Sequence, residues 1–177
     1  MSCRSVSAFD AAVDSWFAPL RRNRVANRAM YSLTELGDFS VIWHIISLAH
    51  GALGGRRGER EMLRLSSALV VESLLVNGPI KSAFRRQRPV IELERPHALR
   101  APRTSSFPSG HASAAACAVT LLVDGAGPLE CAAWSTLGSL VALSRVHVQI
   151  HHASDIVGGA VVGVAVGSLG RRIWPLR

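Results

Sequence analysis

The chain has 177 residues, of which 49% are hydrophobic, with a net charge of +8 and a mean hydropathy of +0.25. That length makes one domain. The basic residues, all arginine except Lys81, fall in short clusters between apolar runs, and aromatics are only 6% of the chain, a layout that fits anionic lipid headgroups better than nucleic acid.

In residues 1–38, Asp10 and Asp14 interrupt what would be the apolar core of a signal peptide. Phe9, Val13, Trp16, Phe17 and Leu20 recur at helical spacing ahead of Arg21, Arg22, Arg24 and Arg28, which predicts an amphipathic helix lying on a bilayer surface. A core-facing helix is the alternative.

Five apolar runs follow: Phe39 to Leu53, Leu65 to Ile80, Ala112 to Val123, Cys131 to Leu143 and Ile156 to Leu169. An arginine-rich loop (Arg56, Arg57, Arg60, Arg64) separates the first two, and a polar stretch rich in Arg and Pro separates the second and third. The runs are short for spans of about 20 residues, but their Ser, Thr and Gly flanks can extend them. In the fifth run, Gly159, Gly163 and Gly167 form a small-residue ladder that suits helix packing in lipid and would weaken a soluble helix. The ladder also offers a face for self-association. The predicted fold is all-α, a polytopic transmembrane helical bundle of about five spans, over residues 1–177 as a single membrane domain. A soluble bundle of very apolar helices is the rival.

Antiparallel spans in this order bring four places to one membrane face: the end of run two, the start of run three, the end of run four and the start of run five. The unusual polar residues fall there, in Lys81 to Pro89, Pro108 to His111, Arg145, and His151 to Asp155. Ionisable groups beside hydrocarbon are costly unless they bind something. Lys81 and Arg88, about two helical turns apart, would share a face if the helix persists to Pro89, and could clamp a dianion. Arg85 and Arg86 read as solvated arginines contacting lipid phosphates. Pro108-Ser109-Gly110-His111 opens a helix whose unpaired N–H groups make an anion site, with His111 placed to deliver a proton, or is a plain capped helix start. On a helix beginning near Ile150, Asp155 would hold one nitrogen of His151 and leave the other as a nucleophile. Arg145 would lie on another face, so the chain must bend between runs four and five. Histidine spacing also permits a metal reading through His147, His151, His152 and Asp155. Convergence of Lys81, Arg88 and Arg145 favours a phosphate ester over that reading.

Lys81 to Pro89 (K-x6-R-P), Pro108 to His111 (P-S-G-H) and Ser144 to Asp155 (S-R-x5-H-x3-D) together resemble the three signature motifs of the type 2 phosphatidic acid phosphatase family. The motifs cover residues 81–155. The resemblance implies a phosphoric ester hydrolase in which His151 attacks phosphorus, Asp155 orients it, and His111 protonates the leaving group and later activates water. Lys81, Arg88, Ser109, Gly110 and Arg145 would hold the phosphoryl oxygens, with no metal and no cofactor. The implied substrate is a lipid-linked phosphate monoester or pyrophosphate, polyprenyl-type or glycerophospholipid, met at a bilayer and ringed by Arg85, Arg86, Arg95, Arg100 and Arg103. Two departures stand out: His152-Ala153 replaces the Tyr-Pro of many relatives, and a sixth span is missing or replaced by the N-terminal segment. Soluble acid phosphatases and vanadate-binding haloperoxidases share the motif set and form the competing class. A non-catalytic lipid-binding protein is a third reading, opposed by the intact His111, His151 and Asp155. The arginine bias points to a bacterial inner membrane, and the positive-inside rule leans toward a cytoplasmic active site.

Overall fold

The computed structural model describes residues 3–90, 96–100 and 104–176. The described residues form helices joined by turns and loops, with no strands: α1 (Cys3–Arg22), α2 (Arg24–Leu36), α3 (Val41–Leu53), α4 (Gly55–Leu75), α5 (Gly110–Leu122), α6 (Pro128–His147) and α7 (Ala153–Ile173). A short 3-10 turn, Asp38–Ser40, precedes α3, and a π-helical turn, Val76–Ile80, extends α4.

α5 is the axis of the bundle. Its sequence is mostly alanine and other small residues, and seven of its 13 residues are buried. Trp43, Leu65, Leu69 and Val141 from α3, α4 and α6 close around Ala114, Ala115, Cys117 and Leu121. α7 lies against α5 along its glycine ladder. A Cβ on Gly159 would stand 2.4 Å from the Ser109 carbonyl, and one on Gly163 would stand 2.1 Å from the Ser113 carbonyl. Glycine is needed because no side chain fits between the two backbones. The ladder therefore packs helices as its spacing predicts, but its partner is α5 of the same chain. The face expected to mediate self-association through Gly159, Gly163 and Gly167 is already covered.

The opposite faces carry exposed apolar side chains, including Ile45 and Leu48 on α3, Val70, Val71 and Leu74 on α4, and Val157, Val161 and Val164 on α7. Apolar surface turned outward on several long helices is what lipid contact requires. Among the described residues, two segments can cross a membrane by length and hydropathy, Gly55–Ile80 and Ala153–Ile173. A third qualifies if α2 and the Asp38–Leu53 segment are taken as one span bent by 66°. That is fewer than five, in part because α5 has only 13 residues.

The arginine-rich loop is itself helical. α4 begins at Gly55, whose φ of +58° turns the chain sharply, and Gly58 lies so close to the His50 carbonyl that a Cβ there would be 1.9 Å from it. α3 and α4 thus form a tight hairpin, and Arg64 is buried, tied to Asp124 at 2.6 Å and the Leu121 carbonyl at 3.0 Å.

Residues 3–36 form two helices rather than one segment. Asn23 breaks them by accepting hydrogen bonds from the N–H groups of Val25 and Ala26, both at 3.0 Å, so a strong N-cap starts α2. α1 buries Val13 and Phe17 against Val146, Ala153 and Ile156, while Phe9, Trp16 and Leu20 stay exposed. Arg21 donates to the carbonyls of His147 (2.8 Å) and Val146 (3.1 Å), satisfying the end of α6. α1 therefore docks on the side of the bundle where α6 ends and α7 begins.

Candidate active site

The four polar stretches converge. A cavity of about 360 Å³ is lined by Lys81, Gly110, His111, Arg145 and His151, with Asp38, Glu72, Asn77 and Arg100 among its other walls. Residues separated by more than a hundred positions reach it, and α4 and α6 end, and α5 and α7 start, at the same level.

α6 ends at His147, and Gln149 takes a left-handed φ of 53°. The N–H groups of Ile150 and His151 both donate to the Arg145 carbonyl, at 3.1 and 3.2 Å. This is the bend that lets Arg145 and His151 address one ligand. Arg145 is 1% exposed and donates from Nη1 to Thr34 Oγ1 at 2.9 Å, an oxygen that also accepts from Ser144 at 3.1 Å.

His151 precedes α7 instead of lying on it, because the helix starts at Ala153 with His152 as its N-cap. Asp155 is the third residue of the helix and folds back to accept from the His152 N–H at 2.8 Å, a capping-box geometry. The His151–Asp155 pairing thus arises from a cap, not from neighbouring positions on one helical face. Asp155 Oδ2 stands 3.5 Å from His151 Nδ1, and His151 Nε2 accepts from Arg88 Nη1 at 3.2 Å. An acceptor at Nε2 leaves the ring proton on Nδ1, facing the carboxylate. Burial pushes the His151 pKa down to about 3, more than Asp155 raises it, and the cations Arg145 and Arg88 add to the fall. The imidazole is neutral, with a lone pair on Nε2.

Arg88 does not arrive on a helix. Helical structure stops at Ser82, ahead of a turn at Ala83, and Arg88 comes in on an extended segment. It is held by its bond to the Ile150 carbonyl at 3.0 Å and by those of Thr104 and Ser105, both at 3.3 Å. Lys81 caps the end of α4 and bonds Asn77 Oδ1 at 3.1 Å. Burial lowers its pKa to about 8, with Arg88 and Arg145 adding to the effect. Burial likewise lowers that of Arg88.

Ser109 is fully buried. Its hydroxyl accepts from the Ala112 N–H at 3.4 Å as the cap of α5, and its own N–H donates to the Asp155 carbonyl at 3.0 Å. The first-turn N–H groups that α5 itself leaves without partners are those of Gly110 and His111. Gly110 sits beside Lys81, whose Nζ would be 3.7 Å from a Cβ placed there. His111 donates from Nε2 to the Thr34 carbonyl at 3.0 Å, with Asp38 Oδ1 3.4 Å away.

Four partners escaped the sequence reading. Arg86, read as a lipid-facing arginine, turns inward: its Nη1 donates to Asp155 Oδ1 and Ser154 Oγ, both at 2.7 Å, and its Nη2 to Asp10 at 2.5 Å. Ser106 donates to the other oxygen of Asp155. Asp38 and Thr34 reach the site from the far end of α2. No spacing rule links residues 10, 34 or 38 to motifs more than 40 positions downstream, although an Asp at the apolar boundary of run one was a visible signal. Of the expected arginine ring, Arg85 is exposed, Arg100 stacks over Phe39 at 4.2 Å, and Arg95 and Arg103 lie outside the described residues. With Arg86 turned inward, the arginine balance behind a cytoplasmic orientation is weaker by one.

The histidines proposed as metal ligands disperse. His147 bonds Asn27 at 2.9 Å and His152 faces the Gln87 carbonyl at 3.3 Å, so neither shares a ligand position with His151.

The PAP2 superfamily model matches residues 61–177. The chain belongs to the PAP2 superfamily. It is 32% identical over 144 residues to the decaprenylphosphoryl-5-phosphoribose phosphatase of Mycobacterium tuberculosis, covering 77% of this chain and 74% of that protein. LpxE of Aquifex aeolicus has the same fold, with a TM-score of 0.72 at 23% identity over 89% of this chain and 93% of that one. So does the transmembrane PAP2-type phosphatidylglycerolphosphate phosphatase of Bacillus subtilis, at a TM-score of 0.67 and 21% identity over 96% and 86%. Candidate spans and a membrane fold together make this PAP2 chain an integral membrane protein, which separates it from the soluble groups that share the motifs.

Proposed function

We propose that the protein is a membrane phosphatase that hydrolyses a lipid-linked phosphate monoester through a phosphohistidine on His151, without a metal. The neutral, buried His151, with its lone pair on Nε2 at the cavity and Asp155 behind Nδ1, is the observation that carries the reading.

In the first half-reaction, His151 Nε2 forms a bond to phosphorus as the ester P–O bond breaks. His111 gives a proton to the departing lipid alkoxide. Asp155 stabilises the charge that develops on the ring. In the second, His111 takes a proton from water, the resulting oxygen bonds phosphorus, and the P–N bond breaks to release phosphate and restore neutral His151. Lys81, Arg88, Arg145 and the first-turn N–H groups of α5 supply the positive field on the three equatorial oxygens, where charge stabilisation is most needed. Arg88 leaves His151 Nε2 for a phosphoryl oxygen when substrate enters.

The 32% identity to a decaprenyl-linked phosphoribose phosphatase favours a polyprenyl-linked sugar phosphate as substrate. The bent α2–α3 pair, α4 and α7 are long and apolar enough to cross; α5 and α6, packed against them, complete five crossings in this reading, with α1 lying in the interface on its exposed Phe9, Trp16 and Leu20. Residues 1–177 act as one unit, in which 1–38 flank the catalytic stretch 81–155.

Phosphate release from a panel of lipid phosphates, measured in detergent with EDTA, tests the proposal. The expected result is turnover that vanadate inhibits and His151→Ala abolishes. Activity surviving that substitution, or strict dependence on a divalent metal, contradicts it.

A further inference from the structure

α2 and α3 do not join smoothly. Their axes differ by 66° across Asp38–Ser40, and both Phe39 (φ 52°) and Ser40 (φ 59°) are in the left-handed region. Two successive non-glycine residues in that conformation are uncommon and strained. A helix break at membrane depth is tolerated where the loosened backbone is buried in protein or lines a water-filled cavity. Here it lines one, since Gly37, Asp38, Phe39 and Ser40 form one wall of the cavity that holds His111 and His151.

What the break delivers is a seat for His111. The ring lies on Gly37, where a Cβ would be 2.5 Å from Cδ2, so any larger residue would push it away. The Thr34 carbonyl accepts from Nε2 at 3.0 Å and keeps the proton on that nitrogen, which leaves Nδ1 for exchange with substrate. Asp38 Oδ1 is 3.4 Å from the same Nε2. Resting on the phosphohistidine reading, we infer that Asp38 is the positioning residue of His111: its carboxylate holds the ring and stabilises the imidazolium, as Asp155 does for His151. The site then has two histidine–aspartate pairs, and the second comes from residues 34–38, upstream of the 61–177 region that the family model matches.

The role predicts a dependence on leaving group that a purely structural residue would not produce. kcat/KM reports steps up to departure of the alcohol, and only a poor leaving group needs the proton from His111. The full-length protein in detergent is assayed with an alkyl lipid phosphate and with p-nitrophenyl phosphate, whose phenolate leaves unaided. Asp38→Asn is expected to lower kcat/KM for the alkyl ester by about 100-fold, within the range of general acid catalysis, and for the aryl ester by under about 3-fold. Asp38→Glu, which keeps the charge, is expected to recover most of the alkyl-ester activity. Equal losses on both esters in Asp38→Asn, or no loss on either, overturn the inference while leaving the His151 dependence intact. Full activity of His151→Ala on either ester overturns it together with the phosphohistidine reading.

Discussion

Arg86 and Asp155 form an ion pair at 2.7 Å in which the carboxylate is fully buried. The same guanidinium reaches Asp10 on α1, so one arginine ties the N-terminal helix to the carboxylate behind His151.

Removing one partner of a buried pair leaves the other uncompensated, typically at a cost of 3–5 kcal/mol. Because Arg86 is 28% exposed, Arg86→Ala is expected to cost less, about 2 kcal/mol, after discounting for solvent screening. Loss of the supporting contact should also cut kcat by about 10-fold or more. Melting in detergent and initial rates check both, and Arg86→Lys should fall between. Unchanged rates in Arg86→Ala would show that Asp155 holds His151 without help.

Lys81 predicts an alkaline limb. Its pKa, ordinarily 10.5, is lowered to about 8 by burial and by the nearby Arg88 and Arg145. It is therefore charged below about pH 8 and loses its charge as pH rises through that value. Since the free enzyme's ionisations govern kcat/KM, that ratio should fall above about pH 8 in the wild type. Lys81→Arg stays charged and should move the limb to higher pH. A limb that stays in place in Lys81→Arg would assign it to another group.

How much of this was legible in the sequence varies by residue. Parity of the apolar runs alone brings Lys81, Arg88, Gly110, His111, Arg145 and His151 to one end of the bundle. Local geometry was harder. A helix through Arg88 fails because helical structure stops at Ser82, and a helix from Ile150 fails because Asp155 starts α7 late by bonding the His152 N–H. Arg86 and Arg88 differ by two positions in an extended segment, and composition gave no means to tell a carboxylate partner from a phosphate ligand. Asp10, Thr34 and Asp38 needed the N-terminal helices in place, since their partners lie far along the chain.

The α5–α7 contact makes a further prediction. A Cβ at Gly163 meets the Ser113 carbonyl at 2.1 Å and Ala116 at 2.9 Å, and backbone cannot step aside cheaply. Gly163→Ala should destabilise the protein by about 1–3 kcal/mol, as overpacked interiors do. Gly127→Ala, where a Cβ meets nothing within 4 Å, is the control. Thermal melts in detergent compare the two, and equal melting temperatures would contradict the close approach of α5 and α7.

In the proposed mechanism His151 carries the phosphoryl group. Rapid acid-free quenching of the enzyme during turnover of a phosphate-labelled lipid substrate, followed by peptide mapping, tests it most directly. The expected result is an acid-labile, alkali-stable phosphoryl adduct on the peptide containing His151, formed within the first turnover and absent in His151→Ala. Turnover with no adduct at any time, or label on another residue, would contradict it.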